Sequence, residues 1–471
     1  MGKSSHKRRA QAKRQIVDPD TLGSDSQQHT PETIGRMIAG ASYAAVGHGA
    51  DTPLFNQFIR RLTQIELSVA SDMRPTALLA LDIQRRISAL YEQGWQPADI
   101  AHAIKRQFTV RAWRLVIAFI AADARATDAV NRAPAAWLSQ LEELHVVNVA
   151  REAIIGGRDQ PLTVWARVEK LDPDEIISVA IQVNAQLLRL PVVSVLVTPP
   201  SAWGASNKGL PPTTPRPSSS SSSSSSPGSA GPSASASESD VDAKALKLIR
   251  ALLAKAEATT FPAEADSFTA KAQQMMTRYS IDAAVLASGA AGDKRASGIE
   301  QRRVHIDNPY ADEKADFIGV LAHVNGARCV WSPSLGFATI IGFPVDLHLT
   351  DLLFTSLLLQ ATRASAEATA NDRDLRTASF RRAFLIAFAD RIGERLEATK
   401  KTAAAEAEAE YGSALLPILA SRQVAVADAF AEAFPNVTFT QSRSLNAHGW
   451  HAGRAAGDRA TIGTGEAITS G

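Results

Sequence analysis

Cysteine is nearly missing from this chain: Cys329 stands alone among 471 residues. An internal disulfide and a multi-cysteine zinc site are both excluded, so apolar burial must hold the fold, and a reducing cytoplasm suits such a protein. Aromatic residues are scarce too, at 6%, while alanine is abundant, which favours helices packed closely through small side chains over a large sheet. There is little net charge, +2 from 50 basic and 48 acidic residues. The molecule as a whole is therefore no polycation, and any contact with nucleic acid must be local. Long apolar runs are lacking as well. Leu115 to Ala122 and Leu352 to Leu359 fall far short of the roughly 20 residues that span a bilayer. The basic start of the chain runs into Asp, Ser and Gln instead of an apolar core, which argues against a signal peptide. The expectation is a cytoplasmic protein that does not engage a membrane.

What is present divides by composition. Residues 1–30 read as a disordered basic arm in which Lys7, Arg8, Arg9, Lys13 and Arg14 are crowded among small polar residues, a composition that can neutralise phosphates. Residues 31–198 read as an all-α domain. Its apolar spacing predicts helices over Thr33–Gly40, Asp51–Ala70, Pro75–Gln93, Pro97–Phe108, Val110–Ala124, Trp137–Val149 and Pro173–Leu190, with Gly94 ending the third. A helix, a glycine turn and a helix with Lys105, Arg106, Arg111 and Arg114 near the ends is a geometry that DNA readers use. Trp113, Val116, Ile117, Phe119 and Ile120 nevertheless cover most of the last helix, which marks it as an interior member of a bundle.

Residues 199–241 form a Pro/Ser-rich linker, stiffened first by Pro211, Pro212, Pro215 and Pro217 and then loosened by the nine serines Ser218–Ser226. From 242 to 288 the pattern predicts a helical hairpin. Leu246, Ile249, Leu252 and Leu253 line one helix, Thr259, Thr260 and Pro262 break it, and Phe268, Ala272, Met275 and Met276 line the second. Ser280 reads as a cap for a further short turn.

Lys247 to Glu257, then Glu264-Ala265 and Ala270 to Met276, resemble a bacterial and phage family known as domain of unknown function 2786. The later segments Ser379 to Phe384 and Gly449 to Arg454 look like the uncharacterised partner domain that follows it in actinobacterial members. The resemblance implies an architecture and a bacterial, actinobacterial origin, and it brings no catalytic residue.

Residues 300–471 read as a small α+β domain, the only place where a sheet is expected. Strands are predicted at Arg303–Ile306, Arg328–Trp331 and Phe337–Ile341, with helices at Asp312–Val324, Leu347–Ala370, Ser379–Lys401, Val424–Phe434 and Asn446–Arg459. The strand-to-helix turn at Gly342 to Asp346 lacks the second glycine, the Lys and the Ser or Thr of a phosphate loop, and Asp346 would repel an anion, so it reads as a capped turn. Arg381 and Arg382 begin an Arg-rich helix and are the folded part's best candidates for touching a polyanion. Gly449, Gly453 and Gly457 fall one per turn on one helix face; each costs about 1 kcal/mol relative to alanine, so a neighbour should approach that backbone closely. His448 and His451 lack a third ligand at convincing spacing, and neither a metal nor a cofactor is expected.

The fold class is thus mainly α: an N-terminal helical bundle, a disordered Pro/Ser linker, and a helical hairpin followed by a small α+β domain. For function the sequence favours a binding or interaction protein, with nucleic acid or another protein as partner. The alternative is an enzyme of unknown reaction whose site draws on His305, His323, His448, His451, Asp346 or Arg381, although no nucleophile–base order or nucleotide loop supports it.

Overall fold

The structure is a computed structural model that describes residues 29–49, 52–146, 160–204, 298–370, 372–412, 415–437 and 446–460, together with isolated positions between 249 and 280. The N-terminal arm, the chain from 205 onward through the serine tract and most of the expected hairpin lie outside the described residues. The chain separates into two compact units, Met1–Thr214 and Pro215–Gly471. It is mainly helical, with one small antiparallel sheet in the second unit.

Proline marks the helix starts of the first unit. Helices α1 (Pro31–His48), α2 (Pro53–Ser68), α3 (Pro75–Glu92) and α4 (Pro97–Gln107) each place Pro at the first helical position, where the missing N–H costs nothing. Helix α5 (Val110–Ala126) is capped by Thr109 and followed by α6 (Ala129–Arg132) and α7 (Ala135–Glu143). Then come α8 (Pro161–Glu169), which the apolar spacing did not reveal, and α9 (Pro173–Leu187), again with Pro first. The helix expected to run from Trp137 to Val149 stops at Glu143, and residues 147–159 are not described. Between α3 and α4, Gly94 takes φ +93°, and a Cβ there would lie 2.3 Å from the Val193 carbonyl oxygen. The turn thereby lets Trp95 bury completely and donate its indole N–H to the Pro191 carbonyl at 2.7 Å.

Helix α9 packs across α1, α2 and α3, and α5 lies among α3, α4 and α8. Polar side chains stitch this core. Arg86 donates to Asn184 Oδ1 at 2.7 Å and to Asp82 at 2.9 Å, while Asn184, 1% exposed, donates to Asp82 at 2.9 Å. Arg111 and Arg114, near the start of α5, turn to Glu169, and Arg114 meets it at 2.8 Å. The helix beyond them is buried through Leu115, Val116, Phe119 and Ile120, so α5 is an interior helix of the bundle. Residues 199–204, placed in the linker by composition, carry a 3-10 turn at Pro200–Ala202, and Trp203 is buried edge-on to Trp137 with ring centroids 5.3 Å apart.

In the second unit three strands, β1 (Glu300–His305), β2 (Arg328–Ser332) and β3 (Phe337–Gly342), form an antiparallel sheet in the order β1-β3-β2. Thr339 of β3 pairs with Arg303 on one side and Val330 on the other. Every residue of β3 is buried, as a central strand covered on both faces requires. Gly336, at φ +78°, closes the β2–β3 hairpin through its N–H to the Ser332 carbonyl at 2.8 Å. Helix α10 (Ala311–Val324) joins β1 to β2 and packs on β2 and β3. Four helices follow: α11 (Pro344–Ala368), α12 (Ala378–Tyr411), α13 (Leu415–Ala433) and α14 (Ala447–Arg459). Helix α13 begins nine residues before the sequence reading because Pro417 falls within its first turn, where proline is tolerated.

Phe380, Phe384 and Phe388 form an i, i+4 ladder on α12 with centroids 6.2 and 6.3 Å apart, and Phe317 of α10 meets Phe388 edge-on at 5.7 Å. Ala338 and Ile340 of the sheet enter the same core, as do Ile249 and Met276. These two positions of the expected hairpin therefore share one hydrophobic core with the α+β elements.

Candidate functional site

The strand-to-helix turn after β3 organises the most polar interior of the second unit. Helix α11 starts at Pro344, three residues earlier than its apolar spacing suggests, and its N-cap residue Phe343 makes no side-chain cap. Asp346 consequently sits in the first helical turn, where the helix dipole favours a carboxylate, and it is 4% exposed. Ser280 donates its hydroxyl to Asp346 Oδ1 at 2.6 Å, and Arg422 of α13 pairs with Oδ2 at 2.9 Å. The Arg422 guanidinium also lies over the Phe343 ring, 3.8 Å from its centroid, which fixes its plane. The anion-repelling charge read into the turn is thus offset by a cation from a helix 76 residues further along.

A second cation lies close by. Lys400 of α12 donates to the Val324 carbonyl at 2.6 Å and so satisfies the C-terminal end of α10. Burial pushes its pKa below the ordinary lysine value, and the charges of Asp346 and Glu397 only partly offset this. Gly326, at φ +79°, turns the chain from α10 toward β2 beside Asp346. These groups, with apolar walls from Met276, Phe343, Leu349 and Leu419, line a partly open recess of about 100 Å³.

Apart from Asp346, the sequence-predicted residues fall elsewhere. Lys7, Arg8, Arg9, Lys13 and Arg14 lie outside the described residues. Arg381 and Arg382 are exposed in the first turn of α12, and Arg382 approaches Glu313 at 3.4 Å. The two arginines further along that helix, Arg391 and Arg395, both engage α14. Arg391 pairs with Glu394 at 2.6 Å and Asp458 at 2.5 Å, and Arg454 of α14 reaches back to Asp390 and Glu394, both at 2.9 Å. Arg395 donates to the Gly457 and Ala460 carbonyls at 2.6 Å and closes the C-terminal end of α14. The hydrogen bonds to these carboxylates hold the Arg391 and Arg454 pKa values up and that of Glu394 down.

Gly449, Gly453 and Gly457 face α12. A Cβ at Gly449 would lie 2.4 Å from the Phe380 carbonyl oxygen, one at Gly453 2.3 Å from that of Phe384, and one at Gly457 2.8 Å from Arg391 Cβ. The histidines do not gather: His305 lies on β1 edge-on to Phe337, His323 is exposed in the last turn of α10, and His448 and His451 are exposed on α14. Of the side chains named for catalysis, only Asp346 enters the recess. Sequence reasoning assigned no such role to Ser280, Lys400 or Arg422. The one usable signal was Arg422, the sole cation in the apolar helix α13.

These features define a two-unit, mainly helical protein with a polar recess beside a three-stranded sheet. Residues 244–283 match a family described as protein of unknown function (DUF2786), the segment that contributes Met276 and Ser280 to the recess. No curated protein and no solved structure matches the chain. Among the described residues no helix is long and apolar enough to cross a membrane.

Proposed function

We propose that this is a binding protein rather than an enzyme, and that its N-terminal arm carries a salt-dependent contact to nucleic acid. The observation that carries the binding reading is the dispersal of the histidines named for catalysis over β1, α10 and α14, away from the one recess that Asp346 enters. Acid–base catalysis needs such groups within hydrogen-bond reach of a common point. The assignment of the nucleic-acid contact to the arm is supported by charge balance. Lys7, Arg8, Arg9, Lys13 and Arg14 precede Asp18, the first acidic residue of the chain, whereas Arg391, Arg395 and Arg454 are engaged between α12 and α14. Arg381 and Arg382 add a weaker contact at the exposed start of α12. The Pro/Ser-rich stretch acts as a tether that lets the arm-bearing unit and the second unit engage separate surfaces.

Electrophoretic shift or filter binding across a salt series tests this, comparing the full chain with one lacking residues 1–15. With Lys3, Lys7, Arg8, Arg9, Lys13 and Arg14 removed, the slope of log affinity against log salt should become shallower by about 4 to 5. Replacing Arg381 and Arg382 by alanine should change it by about 1 to 2. Absent association at low salt, or an unchanged slope in the truncated chain, refutes the proposal.

A further inference from the structure

Among the described residues that line the recess, Lys400 and Arg422 bring two positive charges against the single carboxylate of Asp346. Glu397, the other carboxylate felt by Lys400, is exposed and does not line it. Asp346 is already occupied on both oxygens, by Ser280 and by Arg422. One positive charge is therefore left over in a place where Arg422 and Asp346 side chains are only 15% and 6% exposed.

Donors are left over as well. Among the described residues, Arg422 gives only Nη2 to an oxygen, and Lys400 gives one N–H bond, to Val324. The Phe343 ring holds the guanidinium plane fixed. A planar, singly charged acceptor matches that arrangement better than a tetrahedral dianion does, because Asp346 already pairs with the guanidinium and would repel a second negative charge. Size limits the ligand further. An apolar cavity of about 150 Å³ holds a molecule the size of benzene, so about 100 Å³ takes a ligand of roughly four to six heavy atoms. The walls of Met276, Leu349 and Leu419 suit a short alkyl chain.

We propose that the recess walled by Phe343, Leu349 and Leu419 binds a short-chain monocarboxylate whose carboxylate lies between Arg422 and Lys400. The proposal is independent of the contact made by the arm, and neither result bears on the other. The family-matched segment contributes Met276 to the lining and Ser280 to the hydrogen bond on Asp346.

Isothermal calorimetry on the full chain, at constant ionic strength, would use acetate, propionate and butyrate, with propionamide and inorganic phosphate as controls. Saturable binding of at least one carboxylate is expected, and propionamide and phosphate should not bind. Lys400→Met keeps the apolar stem and leaves the Arg422–Asp346 pair intact; it should weaken binding by about tenfold or more, the worth of one charge-assisted hydrogen bond. Because Arg422→Gln alone strands Asp346, the paired Asp346→Asn/Arg422→Gln variant is the second test, with folding followed by circular dichroism, and it should abolish binding. Equal affinity for propionate and propionamide, preference for phosphate, no saturable binding to the wild-type chain, or full affinity in a folded Lys400→Met protein would each overturn the proposal.

Discussion

Alanine at Gly453 and alanine at Gly319 are the same chemical change in two helices of the same unit, and the structure assigns them opposite signs. Helix propensity alone favours both by about 1 kcal/mol, since alanine loses less backbone entropy than glycine. At Gly319, in α10, a new Cβ meets nothing within 4 Å, so the propensity gain should appear nearly whole. At Gly453 the Cβ would sit 2.3 Å from the Phe384 carbonyl oxygen and 2.9 Å from Ala387 Cβ. A backbone oxygen cannot rotate aside, and carbon needs about 3.2 Å, so α14 must lift from α12 by roughly 1 Å. That lift also loosens the Arg454 and Arg391 pairs and the carbonyl contacts of Arg395. Overpacking of this kind costs about 1–3 kcal/mol, and with strained cross-helix pairs the upper end applies, which leaves a net loss of about 1–2 kcal/mol. Differential scanning calorimetry of the full chain should show the second unit's transition falling by about 2–8 °C for Gly453→Ala and rising by about 2–4 °C for Gly319→Ala. Stabilisation by both substitutions would refute the close approach of the two helices.

Further outcomes follow from three titratable groups, Cys329, Lys400 and Asp123. Burial pushes the Cys329 thiol up to about 12, so native protein at pH 9 should resist iodoacetamide that modifies the unfolded chain quickly; fast native labelling, followed by mass spectrometry, would contradict the burial. The folded state then holds the thiol proton longer than the unfolded one, and stability should fall as pH rises from 9 to 12, a slope that Cys329→Ala removes. Lys400 has the opposite sign: its folded pKa lies below the usual 10.5, the unfolded chain binds more protons just beneath that value, and stability contributed at this site should rise with pH there and lose its slope in Lys400→Met. In the first unit, burial raises the Asp123 pKa despite hydrogen bonds from Ser88 at 2.6 Å and Gln84 at 3.0 Å, so the stability associated with its protonated form is lost as pH rises through that raised value. Asp123→Asn keeps an acceptor for both donors, and urea unfolding should show equal or greater stability at neutral pH; a large loss would mean that the charge itself is needed.

Local chemistry determined much of this protein from its sequence. Proline at the first turn and apolar residues at helical spacing placed most helices of the first unit, though not Ala129–Arg132 or Pro161–Glu169, because both signals act within one or two turns of chain. Short β-branched runs separated by turn residues located the three strands of the second unit for the same reason, and the near balance of charge is a matter of counting. Three glycines one turn apart demand a close neighbour but do not say which; the carbonyls of Phe380 and Phe384 answer that only after the 68 residues between Phe380 and Gly449 have folded back. Arg391 and Arg395 of the Arg-rich helix look like part of a polyanion surface in one dimension and, with Arg454, become a clamp between two helices in three. The recess was least legible, since Ser280, Asp346, Lys400 and Arg422 come from four separate segments and none carries a local signal of the others. Charges so distant in sequence acquire partners only through burial, which strips away the water that would otherwise screen them, and burial is decided by tertiary packing.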